Sequence, residues 1–196
     1  MCIRDRYIGT VSVVNAMDKI IDAFKFINDN EIELWIIGDG KCKNALVRQV
    51  RDEGISNVRF FKPVSQKCVP EYLSIADLCV ISGKSIKVSE AIFPNKLFDY
   101  FAAGKPVIVN FTGVSKDVIL ENNCGVFVKP DDPKGFAIEI IKLKNESQRL
   151  REMGINARKL AEDKFDREKL AVKFIEVLES VHNNHVSHLR ERHFNL

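Results

Sequence analysis

The chain has 196 residues, of which 45% are hydrophobic and 29% are charged. That suits one packed domain with helical additions, and it excludes a fully disordered chain. Thirty Lys and Arg against 27 Asp and Glu leave a net charge of +3, too weak a bias to argue for nucleic acid or an acidic membrane as partner.

In chain order, β-branched runs alternate with amphipathic stretches. Arg6–Thr10 predicts a strand starting almost at the first residue. Over Asn15–Asn28, Ile20, Ile21, Phe24 and Ile27 recur at a helical period. Glu33–Ile37 is a strand that stops at Gly38-Asp39-Gly40, and Cys42–Glu53 is a helix ended by Gly54. Val58–Phe61 is a third strand, and Val69–Ala76 is a short helix with Pro70 in its first turn. Asp77–Ile81 is a strand, Pro94–Ala103 a helix closed by Gly104, and Pro106–Asn110 a strand. Val114–Asn122 is a helix and Gly125–Val128 a sixth strand. Beyond Pro133, three apolar stripes at helical spacing cover Gly135–Leu143, Glu146–Asp163 and Asp166–Val181, and a polar, fraying tail is expected over 182–196.

Several of these strands are apolar throughout, as parallel strands covered on both faces must be. Strand–helix repeats with short connections predict an α/β fold, a doubly wound parallel sheet followed by C-terminal helices. Such sheets bind ligands beyond the carboxyl ends of their strands. That directs attention to the loops Gly9–Asn15, Gly38–Lys41, Lys62–Cys68, Ser82–Lys96 and Phe111–Ser115. No apolar run approaches the ~18 residues that a spanning helix needs. Cys2, Cys42, Cys68, Cys79 and Cys124 are scattered and odd in number. They are expected to be reduced thiols of a cytoplasmic protein, with Cys79 inside a buried strand. The first residues lack the apolar core of a signal peptide.

Four motifs carry little. Gly38-Asp39-Gly40 opens like a dinucleotide fingerprint, but Lys43 stands where the third glycine belongs. A tight turn whose backbone approaches a ligand is the better reading. Gly83-Lys84-Ser85 mimics the end of a phosphate-binding loop, but Leu78 stands in place of its first glycine. Val128-Lys129-Pro130 lacks the acidic partners of a phospho-acceptor domain. His182, His185 and His188 have a spacing that could gather imidazoles on one face, but no carboxylate or cysteine joins them or His193, so a solvated, silent cluster is expected. No metal site is expected.

The strongest signal is Ser89–Val107, SEAIFPNKLFDYFAAGKPV. Leu97, Phe98, Phe101 and Ala102 form the apolar face of a helix. Asn95, Lys96 and Asp99 then fall together on another face, three and four residues apart. The amino end of a helix favours phosphate, and Lys96 adds a full charge there. Asp99 lies a turn further in, roughly 4.5 Å along the axis, where a carboxylate can accept both hydroxyls of a ribose diol. An ordinary amphipathic helix with a surface Lys–Asp pair fits the spacing equally well.

PNKLFDYFAAGKPVI resembles the donor-site helix of glycosyltransferase family 4, the group 1 glycosyltransferases of the GT-B fold. Tyr7-Ile8-Gly9, LWIIGDGK, VRFFKPV, VPEYLSIADLCV and GVFVKPDDP resemble further blocks of that family, in order, from Arg6 to Val181. The nearest variants carry Pro-Ser-Lys or Pro-Asn-Lys before the helix, and many build bacterial surface polysaccharides. The resemblance implies the Rossmann-like, nucleotide-sugar-binding half of a GT-B enzyme over 6–181. It implies transfer of a hexosyl or N-acetylhexosaminyl group, with retention, from a nucleotide sugar (a UDP-sugar is expected) to a saccharide or lipid-linked acceptor. No cofactor and no metal are implied, since positive charge steadies the leaving diphosphate.

By the same resemblance Asp99 holds the ribose, and Asn95 and Lys96 meet the diphosphate. Gly9 and Thr10 line it from the other side, Gly38 and Gly40 allow close approach, and backbone at Lys62–Val64 contacts the base. Three departures stand out. The family's usual pair of glutamates reads Ala91 and Asp99 here, which leaves Glu90 as the candidate catalytic acid. Thr10 and Asn15 stand where an Arg and a Lys often bind phosphate, with Lys96, and Lys84 or Lys87, as substitutes. The third is that the acceptor-binding half is missing from this sequence, and residues 1–5 do not resemble the family. The fragment alone is therefore expected to bind nucleotide weakly, transfer nothing, and expose the apolar faces of its last helices. The intact enzyme is expected in the cytoplasm, with possible peripheral association at the inner face of the membrane. A GT-B-fold UDP-sugar epimerase and a non-catalytic nucleotide-binding module are the alternatives.

Overall fold

The computed structural model describes residues 3–84 and 90–193, with side chains for 5–84 and 90–182. Six strands run in the order β1 (Ile3–Ile8), β2 (Ile32–Ile37), β3 (Val58–Phe61), β4 (Leu78–Ile81), β5 (Val107–Val109) and β6 (Gly125–Phe127). They form one parallel sheet, β3-β2-β1-β4-β5-β6. The chain winds outward from β1 to β3, returns to the middle, and winds outward again. This is the doubly wound, Rossmann-like sheet expected, and the direction of winding reverses between β1 and β4.

Two cores cover the two faces. Alternation along β4 sends Leu78 and Val80 to one core, Cys79 and Ile81 to the other. The first core is closed by α1 (Met17–Phe24), α2 (Lys43–Asp52) and α6 (Pro133–Asn145), through Ile20, Phe24, Leu46, Phe136 and Ile140. The second is closed by α3 (Val69–Ser74), α4 (Lys96–Ala102) and α5 (Val114–Glu121), through Leu73, Leu97, Phe101 and Ile119. The helix α7 (Ser147–Lys164) joins both, with Leu150 and Met153 in the first and Ala157 and Leu160 in the second. Because both faces are covered, β4 and β5 are buried at every residue.

Three expectations are corrected. The first strand starts at Ile3 and ends at Ile8, so Asp5 lies inside it, opposite Leu34 of β2 and Leu78 of β4. The charged residues Arg4 and Asp5 hid the start of a strand that inter-strand pairing secures. The helix expected from Pro94 begins at Lys96, because the Leu97 and Phe98 amides bond back to Pro94 and Asn95 in a tighter turn. The last helix, α8 (Arg167–His193), runs through most of the supposed tail. Along α8, Leu170, Phe174, Ile175, Leu178 and Val181 are exposed, as expected of the last helix. Among the described residues no helix is long and apolar enough to cross a membrane. Cys79 and Cys124 are buried free thiols, and burial pushes Cys124 up to about 12. Met1, Cys2, Ser85, Lys87 and the side chains of His185, His188 and His193 lie outside the described residues.

Candidate functional site

β1 and β4 pair over only two residues, Asp5 with Leu78 and Arg6 with Cys79. Beyond them the strands part. The N–H of Ile8, the last residue of β1, donates to the Tyr100 hydroxyl of α4 at 3.2 Å instead. Tyr100 is fully buried, so α4 is wedged where the winding reverses. Above this wedge opens a cavity of about 390 Å³, lined by Ile8, Gly9, Thr10, Asn15, Val69, Asn95, Lys96, Asp99 and Tyr100. Larger hollows of about 780 and 650 Å³ lie beside Lys105 and Pro106 and beside β6. The first sits at the amino ends of β4 and β5, the wrong edge for a ligand of an open parallel sheet, so size does not decide.

Five of the residues expected at the site meet in this cavity: Gly9, Thr10, Asn95, Lys96 and Asp99. Gly38, Gly40, Val64 and Glu90 do not line it. Gly38 and Gly40 serve a different close approach. A Cβ on Gly38 would lie 2.0 Å from the Gly9 carbonyl oxygen, and one on Gly40 2.1 Å from that of Val11. The loop after β2 is pressed against the loop after β1, and Gly9 N–H to Ile37 O (3.0 Å) and Val11 N–H to Asp39 O (2.8 Å) stitch them together. These glycines shape the cavity wall from behind. Val64 is half-buried in the loop after β3, and Glu90 is exposed.

Lys96 is the cation among the described lining residues. Its ammonium donates to the Tyr7 hydroxyl at 2.8 Å and stands 4.0 Å from the centre of the Tyr7 ring. Burial pushes Lys96 down to about 8, so near neutral pH it is charged yet poorly solvated. Such an ammonium gains most when an anion arrives. Tyr7 is fully buried and its phenol is pushed up by burial. Its hydroxyl donates to the Thr10 carbonyl at 2.7 Å. The Asn15 side-chain amide donates to that same carbonyl at 2.6 Å, so Asn15 holds the loop instead of offering charge.

Asp99 sits a turn beyond Lys96, exposed at the cavity edge. Partial burial raises its carboxyl above the usual range, and the Arg167 guanidinium of α8 opposes that. Phe93, Phe98 and Phe165 meet with ring centres 5.1–5.4 Å apart and clamp α4 to the junction of α7 and α8. Sequence reasoning placed Tyr7 in a matching block but gave it no role. A tyrosine near the end of a strand, two residues before Gly9, is its signal.

The cavity thus offers a poorly solvated cation at one end, a carboxylate a turn away, and a tightly bent backbone opposite. The family model "Glycosyl transferases group 1" matches residues 6–160. The chain belongs to that family. It is 32% identical over 105 residues to TuaH of Bacillus subtilis (strain 168), described as a teichuronic acid biosynthesis glycosyltransferase, covering 52% of this chain and 26% of that protein. It is 20% identical to the poly(ribitol-phosphate) alpha-N-acetylglucosaminyltransferase of Staphylococcus aureus (strain COL), over 89% of this chain and 35% of that one. Among solved structures, Anabaena HepE in complex with UDP superposes with a TM-score of 0.80 at 18% identity, over 91% of this chain and 49% of that one. The chain spans 26–47% of the length of the curated relatives it matches.

Proposed function

We propose that this chain is the C-terminal, donor-binding domain of a family 4 glycosyltransferase, and that its cavity takes the nucleoside diphosphate of a sugar donor. The observation that carries this reading is the meeting of Gly9, Thr10, Asn95, Lys96 and Asp99 around one cavity where the sheet reverses its winding. Lys96 faces the diphosphate and offsets the charge that grows on it as the glycosidic bond breaks. Asp99 accepts the ribose hydroxyls. The role expected of the helix dipole shrinks: α4 has seven residues, and its Leu97 and Phe98 amides are already bonded. Lys96 carries most of that task.

UDP is the expected nucleotide, since HepE is a UDP complex. A hexose or N-acetylhexosamine is transferred with retention, without a metal, in the assembly of a surface polysaccharide. The acceptor binds to a preceding domain, which covers the exposed stripe of α8. Because the active site is the cleft between the two domains, the chain alone binds nucleotide weakly and transfers nothing. A thermal-shift panel of UDP, GDP, ADP and TDP tests the reading. Stabilisation by UDP above the others is expected, and no shift with any nucleotide would contradict it.

A further inference from the structure

We propose that Tyr7 is the positioning residue for the donor's diphosphate, its hydroxyl strung between the Thr10 carbonyl and the Lys96 ammonium so that both walls of the phosphate end are fixed together. The inference rests on the donor-site reading above and adds to it a residue that does not itself line the cavity. The hydroxyl donates its one proton to Thr10 O (2.7 Å) and accepts from Lys96 Nζ (2.8 Å). Both bonds are part-buried and anchored on the fully buried Tyr7, which holds their geometry. The ring adds a second restraint, since Lys96 Nζ lies 4.0 Å from its centre. Gly9 completes the arrangement: a Cβ there would fall 3.3 Å from Lys96 Nζ, so its absence leaves the ammonium room.

A flexible lysine reaching into water would place its charge anywhere within several ångströms. With one cation among the described lining residues, its placement decides how much of its charge reaches the phosphates. The other titratable groups at the cavity are Asp99, a turn along α4, and the buried Tyr100.

Tyr7→Phe tests this, because it keeps the ring and removes both hydroxyl bonds. Calorimetry at pH 7 should show UDP binding about tenfold more weakly, with uridine affinity unchanged. In a Lys96→Met background the same substitution should cost UDP affinity nothing further, since the two residues act as one unit. An independent arm follows Lys96 by NMR of carbon-13-labelled lysine in the unliganded proteins. Its titration midpoint should move to lower pH in Tyr7→Phe, because the ammonium loses an acceptor. Equal loss of uridine and UDP affinity would mark a merely structural role and overturn the proposal. So would an unmoved Lys96 titration. A moved titration with no nucleotide bound by either protein would instead bring down the donor-site reading, and the diphosphate role with it.

Discussion

The two ends of β1 bury polar groups in opposite ways. At the carboxyl end, Tyr7 is fully buried and its hydroxyl is matched on both sides, by Thr10 and by Lys96. Two residues earlier, Asp5 is equally buried, yet neither carboxylate oxygen has a hydrogen-bond partner among the described residues. Burial first, then the nearby Asp77 charge, pushes the Asp5 carboxyl well up, and neighbouring Arg6 only partly opposes this. One strand thus carries both a buried polar group with two hydrogen-bond partners and one with none among the described residues. Burial alone distinguishes nothing; the partner does.

Three changes would break or sharpen that contrast. The largest effect is expected from Gly38→Ala. Its Cβ would collide with the Gly9 backbone, at a φ of +148° that L side chains rarely adopt. A loss of about 3 kcal/mol is expected in urea unfolding, with weaker UDP binding as the Gly9 loop is displaced. Full stability would mean that the two loops are not locked. Next, Asp5→Val should raise stability by about 1–3 kcal/mol and leave UDP affinity unchanged. It should also remove a pH dependence. The native carboxyl holds its proton longer than the unfolded one, so stability falls as pH climbs from about 4. Unfolding curves taken from pH 4 upward should show that decline in the parent and lose it in the variant.

The smallest effect is one of pH on binding. On the proposed donor reading the charged Lys96 is the form that attracts diphosphate, and burial lowers its pKa to about 8 in the free protein. UDP affinity should hold steady from about pH 7, where the terminal phosphate is fully ionised, up to that value. Above it, affinity should fall by up to tenfold per unit, about 1.4 kcal/mol, until the raised Lys96 pKa of the complex is reached. An affinity that stays level to pH 10 would remove Lys96 from the phosphate end.

Much of this was legible in the residues. Uninterrupted apolar runs such as Leu78–Ile81, short and alternating with amphipathic stretches, read as strands covered on both faces of a doubly wound sheet, and they are. The one-turn spacing of Asn95, Lys96 and Asp99 puts them on one surface. The start of β1 was hidden because Arg4 and Asp5 look like a solvated segment. Pairing with β2 overrides that propensity. Gly38 and Gly40 announce a close approach, but a glycine does not say what approaches, and here it is the chain's own backbone. The role of Tyr7 depends on a contact across 89 residues, which local pattern cannot reveal.

Titration calorimetry of UDP against the parent chain and Asp99→Ala tests the central claim most directly. Loss of a hydrogen-bonded carboxylate is expected to weaken binding by about 10- to 150-fold, roughly 1.5–3 kcal/mol. Equal affinity in the two proteins would contradict the assignment of this cavity to a nucleotide donor.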